Sequence, residues 1–368
     1  MDLRDELEAA LGGLYSIEQE LGGGGMSRVF LARETSLGRR VVVKVLPKEL
    51  TGGVNVDRFR REIVLAAQLQ HPHVVGLLST GEVAGVPYYT MPYEEGRSLR
   101  AHLRDHGPLP IPEVVGLLGD VAKALTFAHE RGVIHRDIKP DNILVCGGAA
   151  VVSDFGIAKA VSDAKDQPPP RATGESLTQI GMSVGTPTYM APEQAAAEPD
   201  VDHRADIYAF GITAYEMLTG RPPFCDGSPR KLLAAHLTQA PEPVLARRPD
   251  TPPALAALVM ACLAKEPAER PQSAREIGRM LEIVHAGEQR AARAHAVRGG
   301  LGRHLALGLA ALIAVSILAR AAIIAMGLPD WVLPAMLVVA VLLIVFVVGR
   351  AQGITRAVTP LTPARRRE

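Results

Sequence analysis

A lysine inside an apolar strand is the first residue whose setting suggests chemistry. Lys44 lies in the run VVVKVL, and because burying an unpaired ammonium is costly, its side chain needs an anionic partner. Two partners fit: Glu62, in a helix predicted further along the chain, or a phosphate group. Upstream, the stretch LGGGGMSRVF at residues 21–30 contains four consecutive glycines, whose backbone amides can approach an anion closely.

The glycine run has three interpretations: a slack linker, a dinucleotide-binding turn, or a flap over the phosphates of a nucleotide. A dinucleotide-binding turn leads from a strand directly into a helix, whereas these glycines are followed by SRVFLA, which has the pattern of a second strand. A linker leaves Lys44 unexplained. We therefore predict the tip of a β-hairpin that covers phosphates.

Three further motifs follow along the chain: HRDIKPDN at residues 135–142, DFG at 154–156 and APE at 191–193. With the glycine run and VVVKV, they resemble the protein kinase family in order and spacing, and in particular the bacterial Ser/Thr kinases of eukaryotic type. The resemblance covers residues 15–283. It implies an α+β, bilobal protein kinase fold, with a small antiparallel β lobe and a larger helical lobe, and an ATP-dependent Ser/Thr protein kinase activity.

The resemblance implies a catalytic role for four residues, and phosphoryl transfer mainly requires positioning and positive charge near the reacting phosphate. Asp137 is expected to accept the proton of the substrate hydroxyl, and Lys139 to contact the γ-phosphate. Lys44 is expected to bind the α- and β-phosphates while Glu62 holds it in place. His135 is expected to brace the catalytic loop without transferring protons.

The cofactors implied are ATP and Mg²⁺, for which Mn²⁺ could substitute. Asn142 and Asp154 are expected to hold the cation through oxygen atoms. Ser27 stands where many kinases have a third glycine of the phosphate-binding loop. The residues expected to contact ATP are Leu21, Gly22, Gly23, Gly24, Gly25, Met26, Ser27, Arg28, Val29 and Lys44, with Met91, Tyr93 and Glu94 of the linker between the lobes.

Regulation by phosphorylation is the next expectation. Arg136 directly precedes Asp137, and kinases with this arrangement pair the arginine with a phosphorylated activation loop. An added phosphate can order a segment by pairing with arginine. The resemblance therefore implies autophosphorylation, in a homodimer if the reaction runs in trans, and the candidate sites are Thr178, Ser183, Ser176 and Thr173.

Two supporting contacts are also implied by the resemblance. Glu193 of APE is expected to form a structural ion pair with Arg270. Asp206 is expected to accept hydrogen bonds from the backbone of the catalytic loop.

Two other function classes share part of this pattern with a protein kinase. A pseudokinase scaffold would bind nucleotide or partners without transfer, but the set Lys44, Glu62, Asp137, Asn142 and Asp154 argues against it. A small-molecule phosphotransferase also uses an aspartate base. It is disfavoured by GTPTYMAPEQ, which in protein kinases builds the floor on which a peptide docks, so protein Ser/Thr side chains are the expected substrates.

Composition sets broader limits. The chain has 368 residues, of which 48% are hydrophobic, and a net charge of +1, which argues against nucleic acid as a partner. Cys146, Cys225 and Cys262 are odd in number and too dispersed for metal-ligand spacing, so we predict free thiols in a reducing cytosol. Residues 1–14 are acidic, lack the pattern of a signal peptide and are expected to be an extension.

The pattern of apolar residues predicts the lobe boundary. Residues 15–93 contain short β-branched runs interrupted by one helical pattern, which is typical of a small sheet with one helix. Residues 94–283 then show repeated helical periodicity, with proline and glycine near the predicted helix ends.

The C-terminal part has a membrane-like composition. The runs 305–326 and 331–348 are long enough to span about 30 Å of hydrocarbon, although Arg320 leaves an interfacial helix as the alternative for the first run. Arginines lie in the juxtamembrane linker 284–304 and in the basic tail 349–368, but not between the runs. The positive-inside rule then predicts a two-helix transmembrane hairpin in the lipid bilayer of the plasma (inner) membrane, with the kinase domain and C-terminus cytoplasmic.

Overall fold

The chain consists of two units, Met1–Ala286 and Gly287–Glu368. The structure, a computed structural model, describes residues 3–24, 27–46, 63–83, 86–155, 187–225 and 227–287, with residues 310, 313, 314, 317, 318, 320, 321 and 338 of the second unit. These eight residues are helical. No helix among the described residues combines the length and apolar character needed to cross a membrane. Most of the two predicted membrane runs lies outside the described residues.

A five-stranded antiparallel sheet forms the first lobe, with strands in the order β1-β2-β3-β5-β4. β1 and β2 pair up to Gly24 opposite Ser27, so the glycine run lies at the end of a hairpin, as predicted. Residues 63–67, between β3 and β4, are helical. The strands are β1 (Tyr15–Gly24), β2 (Ser27–Glu34), β3 (Arg40–Val45), β4 (Ser79–Val83) and β5 (Val86–Pro92).

Alternation along β3 divides the apolar side chains of this lobe between two faces. Val41, Val43 and Val45 belong to an outer apolar cluster, whereas Val42 belongs to an inner one. Because side chains alternate along a strand, Lys44 shares the inner face with Val42.

The N-terminal segment is a helix that covers the outer face of the sheet. α1 (Leu3–Leu11) contributes Leu7 and Leu11 to the outer cluster, where they pack with residues such as Phe30 and Tyr88. The sequence predicted only an extension here. In the structure, this segment also buries part of the outer face of the sheet.

Truncation of Leu7 should therefore destabilise the first lobe. Leu7 is 0% exposed, and Leu→Ala substitutions in cores cost about 2–5 kcal/mol through lost transfer energy and the remaining cavity. We expect Leu7→Ala to lower the free energy of unfolding, measured by urea titration, by an amount in this range. Leu14→Ala is the matched control, since Leu14 is 60% exposed, and it should change stability little. An unchanged Leu7→Ala variant would show that the helix does not stabilise the sheet.

Helices form most of the second lobe. One of them, Arg204–Thr219, runs through the centre of the core of this lobe, and every residue from Ala205 to Leu218 is buried. The helices are α2 (Leu99–His106), α3 (Ile111–His129), α4 (Pro192–Ala195), α5 (Arg204–Thr219), α6 (Pro229–Thr238), α7 (Val244–Arg247) and α8 (Pro253–Cys262), and residues 274–287 are also helical.

A small antiparallel sheet positions the two motifs that contain Asp137 and Asp154. It has the order β6-β7-β8, with β6 (Arg97–Ser98), β7 (Ile143–Cys146) and β8 (Ala149–Val152). The motif HRDIKPDN ends as β7 begins, and DFG follows β8. Because β7 and β8 pair directly, both motifs lie at the same end of this sheet. The α+β, bilobal fold expected from the sequence is confirmed.

Candidate active site

Lys44 and Asp154 form an ion pair between the two lobes. Lys44 Nζ lies 2.7 Å from Asp154 Oδ2, and the two side chains are only 18% and 10% exposed. The hydroxyl of Tyr89 donates to the other oxygen, Asp154 Oδ1, at 2.7 Å. Asp154 is thus an anionic partner of Lys44. Glu62, the partner expected from the sequence, lies outside the described residues.

The environment of Asp154 keeps its carboxylate ionised. Burial alone raises the pKa of this group, but the charge and hydrogen bond of Lys44, followed by the hydrogen bond of Tyr89, lower it below its ordinary value. Its backbone has a φ of +66°, in the left-handed region that non-glycine residues rarely adopt. Such strain persists only where surrounding contacts stabilise it.

The catalytic loop orients the carboxylate of Asp137 by two donors. Lys139 Nζ donates to Asp137 Oδ2 at 2.7 Å, and the Asn142 side-chain amide donates to the same oxygen at 3.0 Å. Among the described contacts of this side chain, both fall on Oδ2, so Oδ1 remains available to accept a further hydrogen bond. An aspartate held in this way can act as a general base.

His135 braces the loop, as expected. The Asp137 amide donates to His135 Nδ1 at 3.2 Å, and His135 Nε2 lies 2.8 Å from the carbonyl oxygen of Ser153. Since a carbonyl only accepts and an amide N–H only donates, the ring carries its proton on Nε2. His135 therefore links the catalytic loop to the residue before Asp154.

Asp206 anchors the same loop from α5. It accepts the amide of His135 at 2.8 Å and the amide of Arg136 at 2.7 Å, which confirms the predicted contact. His129 Nε2 lies 2.8 Å from the same carboxylate. Arg136 has a φ of +69°, and the Asp206 hydrogen bonds hold this unusual conformation beside Asp137.

Acid should weaken the anchor at Asp206. Burial alone raises the pKa of this carboxyl, but the hydrogen bond and charge of His129, followed by His135, lower it below its ordinary value. A carboxyl of lowered pKa binds fewer protons in the folded than in the unfolded protein. Its stabilisation is therefore complete above the unfolded pKa of about 3.9 and is lost as pH falls through the folded pKa.

Urea titrations on the acid side of about pH 5 should show this loss as a falling free energy of unfolding. Asp206→Asn has no carboxyl to titrate at this position, so its acid slope should be shallower than that of the wild type. Asp250→Asn changes a carboxylate that is 69% exposed and should follow the wild type. Equal slopes for Asp206→Asn and wild type would contradict the anchoring role.

The site has the chemistry that a nucleotide with a divalent cation requires. Mg²⁺ prefers oxygen ligands and is usually bound by one or two carboxylates together with phosphates and waters. Asp154 supplies a carboxylate, and because the Asn142 nitrogen donates to Asp137, its amide oxygen is the atom left for a cation. Within the described ranges, no group of three His, Cys, Asp or Glu side chains could hold a metal alone. Gly22 has a φ of +140° with open space where a Cβ would lie.

The linker between the lobes continues the inner cluster. Met91 is buried in that cluster, and Tyr93 and Leu144 pack against it half-buried. Cys146 also packs there, and burial followed by the charge of Glu94 raises the pKa of its thiol. An apolar wall therefore continues from the inner face of the first lobe to the position expected for a nucleotide base.

Comparison with known proteins identifies the family. Residues 15–281 match the protein kinase domain. The chain belongs to the protein kinase family.

Several bacterial kinases are similar to this chain. It is 41% identical over 280 residues to the serine/threonine-protein kinases PknB of Mycolicibacterium smegmatis and Mycobacterium tuberculosis, covering 74% of this chain and 43% of each relative. It is 40% identical over 292 residues to a probable serine/threonine-protein kinase of Corynebacterium efficiens, covering 76% of this chain and 43% of that protein. The chain thus matches less than half the length of these curated relatives.

The kinase structure brings together five of the residues selected from the sequence: Lys44, Asp137, Lys139, Asn142 and Asp154. Their functional roles remain predictions. On the hairpin, Leu21 is exposed and Arg28 pairs with Glu20 at the surface, while Val29 packs against the inner cluster. The residues selected from the sequence that lie outside the described part are Gly25, Met26, Glu62, Thr173, Ser176, Thr178 and Ser183.

The ion pair between Glu193 and Arg270 is confirmed. Arg270 Nη1 and Nη2 donate to the two carboxylate oxygens at 2.7 and 2.8 Å. Beside APE, Tyr189 hydrogen-bonds to both Arg100 and Glu216. These contacts fix the segment that the sequence assigned to peptide docking onto the helical core.

Sequence reasoning missed three residues around the site. Tyr89 and Ser153 both donate to Asp154, and His129 contacts Asp206. Tyr89 offered one signal: alternation in a strand places it on the same face as Met91. Nothing in the sequence, however, indicates that its hydroxyl meets a carboxylate from the other lobe.

Proposed function

We propose that this protein is an ATP-dependent Ser/Thr protein kinase that transfers the γ-phosphoryl group of ATP to Ser or Thr hydroxyls of proteins. The observation that carries the proposal is the ion pair between Lys44 and Asp154. It joins the strand beside the glycine hairpin to the segment that follows β8 (Ala149–Val152). The similar proteins named as serine/threonine-protein kinases support the same conclusion.

Each residue of the site has a defined task in this reaction. The oxygen of the substrate hydroxyl bonds to the γ-phosphorus while the bond from that phosphorus to the leaving ADP oxygen breaks. Asp137 Oδ1 accepts the proton of the hydroxyl as this happens. The ammonium group of Lys139 moves away from Asp137 and toward the γ-phosphate, where it neutralises negative charge. Lys44 binds the α- and β-phosphates, and the hairpin amides around Gly22 cover them.

Asn142 and Asp154 would hold Mg²⁺ by their side-chain oxygens. When bound, the cation would supply positive charge against the negative charge that develops on the transferred group. The linker residues Met91, Tyr93 and Glu94 border the adenine base.

Incubation of the purified full chain with radiolabelled ATP, Mg²⁺ and a generic basic protein tests this proposal. Label on the chain itself or on the substrate, recovered as phosphoserine or phosphothreonine, is the expected result. Nucleotide binding without any transfer would favour a pseudokinase scaffold and refute the kinase assignment.

Autophosphorylation of the activation loop is the regulatory part of the proposal. Arg136 supports it, because Arg136 Nε is buried and has no hydrogen-bond partner among the described residues. A buried unpartnered donor is costly, and a phosphate on Thr178, Ser183, Ser176 or Thr173 would satisfy it. Mass spectrometry of protein labelled at several concentrations maps the sites. A rate per molecule that rises with concentration indicates transfer between two copies of the chain, which associate as a homodimer during the assay.

The final part of the proposal places the kinase at the plasma membrane. Two helices, 305–326 and 331–348, form a hairpin in the bilayer, and the arginines on either side keep the kinase domain and residues 349–368 in the cytoplasm. Membrane fractionation of cells that express the full chain or the unit Met1–Ala286 tests this. The full chain should resist alkaline carbonate extraction and the shorter chain should not; release of both would refute the anchor.

A further inference from the structure

Tyr89 is a buried residue whose hydroxyl group contacts Asp154 of the site. It lies on β5 (Val86–Pro92) directly opposite Lys44 of β3 (Arg40–Val45) in the antiparallel register. Residues paired in this way project from the same face of the sheet. Tyr89 is 1% exposed, and its ring packs in the inner cluster. Two neighbouring strands thus direct one donor each to Asp154.

The donors are distributed unevenly over the Asp154 carboxylate. Oδ2 accepts Lys44 Nζ at 2.7 Å and the Ser153 hydroxyl at 3.3 Å, whereas Oδ1 accepts the Tyr89 hydroxyl at 2.7 Å. An ionised carboxylate offers about four lone-pair sites. Among the described contacts, Tyr89 is the one donor to Oδ1, so a lone pair of this oxygen remains for a further ligand. The single Ser153 hydroxyl hydrogen near Oδ2 is shared with the carbonyl oxygen of Asn142, which also lies 3.3 Å away.

Lys44 and Tyr89 differ in how permanently they can hold Asp154. Lys44 has a flexible stem and a full charge, and the proposed function directs it to the phosphates of the nucleotide. Tyr89 is neutral, and its ring is fixed by packing. Because an unpartnered buried hydroxyl is costly, we expect the hydrogen bond from Tyr89 to Asp154 to persist when Lys44 binds the nucleotide.

We propose that Tyr89 is a positioning residue for the reaction, which holds the Asp154 carboxylate so that the remaining lone pair of Oδ1 faces the divalent cation. This inference rests on the proposed function. It also accounts for how Asp154, with its backbone φ of +66°, stays in place once the charge of Lys44 is engaged elsewhere.

Cation affinity is the first test. Binding of Mn²⁺ to the full chain, in the presence of a non-hydrolysable ATP analogue, can be followed by electron paramagnetic resonance. Tyr89→Phe removes only the hydroxyl and should weaken Mn²⁺ binding about 10- to 100-fold, the usual effect of losing a partner of a metal ligand. Tyr88→Phe is the matched control, because Tyr88 directly precedes Tyr89 on β5 and belongs to the outer cluster. This variant should bind Mn²⁺ like the wild type.

A thermodynamic cycle separates positioning from simple packing. In nucleotide-free protein, Tyr89→Phe should lower the midpoint of thermal unfolding when Asp154 is present and should not lower it in an Asp154→Ala background. A role in packing alone predicts the same loss in both backgrounds, and that result would overturn the inference.

The outcomes distinguish this inference from the proposed function. If the wild type binds Mn²⁺ with the analogue and Tyr89→Phe binds it equally well, the positioning role is wrong while the proposed function stands. If the wild type shows no such binding, the proposed cation site is wrong and the inference falls with it.

Discussion

Replacement of Asp137 by Asn is expected to lower kcat for phosphoryl transfer by about 10²- to 10⁴-fold, the range associated with loss of a general base. The amide has the shape of the carboxylate, so its oxygen can still accept from Lys139 and Asn142, which now donate at 2.7 and 3.0 Å. The NH₂ group then occupies the place of Oδ1. A substrate hydroxyl meets a donor there and cannot deliver its proton.

Steady-state kinetics with a peptide substrate, combined with titration of a fluorescent ATP analogue, measures this effect. Affinity for the analogue should stay within about twofold of the wild type, since the role proposed for Asp137 concerns the substrate hydroxyl and not the nucleotide. Asp141→Asn is the matched control, because Asp141 lies in the same motif with a half-exposed side chain paired to Arg100. A kcat for Asp137→Asn within threefold of the wild type, on the order of 0.6 kcal/mol in barrier, would exclude Asp137 as the base.

Loss of the Arg270 side chain is expected to be strongly destabilising. Arg270 is 0% exposed and Glu193 7% exposed, and Arg270 also donates to the carbonyl oxygens of Ala264, Arg204 and Lys265. Removing one member of a buried ion pair costs about 3–5 kcal/mol, because the other charge is left without compensation. That is a large share of the roughly 5–15 kcal/mol that stabilises a typical domain.

Urea unfolding of Arg270→Met measures this cost. The double variant Arg270→Met with Glu193→Leu should be less destabilised than the single variant, since it leaves no buried carboxylate unpaired. Arg4→Met removes an exposed pair with Glu8, in which Arg4 is 46% exposed, and should cost less than about 1 kcal/mol. A similar small cost for Arg270→Met would show that the buried pair contributes little.

The hairpin and helices were predictable because their signals are local. The glycines of β1, the strand SRVFLARE and the helical periodicity of Ile111–His129 are patterns within one segment. The contacts of Asp206 and Glu193 were also anticipated, but only through the resemblance to protein kinases. Spacing alone gives no reason for Arg270 to meet Glu193, which is 77 positions away.

The N-terminal segment shows where local patterns fail. Its amphipathic character is visible in the sequence, yet an amphipathic helix does not reveal which surface it will cover. The outer face of the sheet became its partner because Phe30, Val43 and Tyr88, from three separate strands, combine into one apolar surface.

The sequence by itself determined the family, the order of the motifs and the residues suited to phosphoryl transfer, because these depend on residue type and spacing along the chain. Only the tertiary structure decided which of them touch. Lys44 and Asp154 are 110 positions apart, and Tyr89 joins them through the pairing of β3 with β5. Such contacts arise from the packing of distant segments, and periodicity within a segment carries no record of that packing.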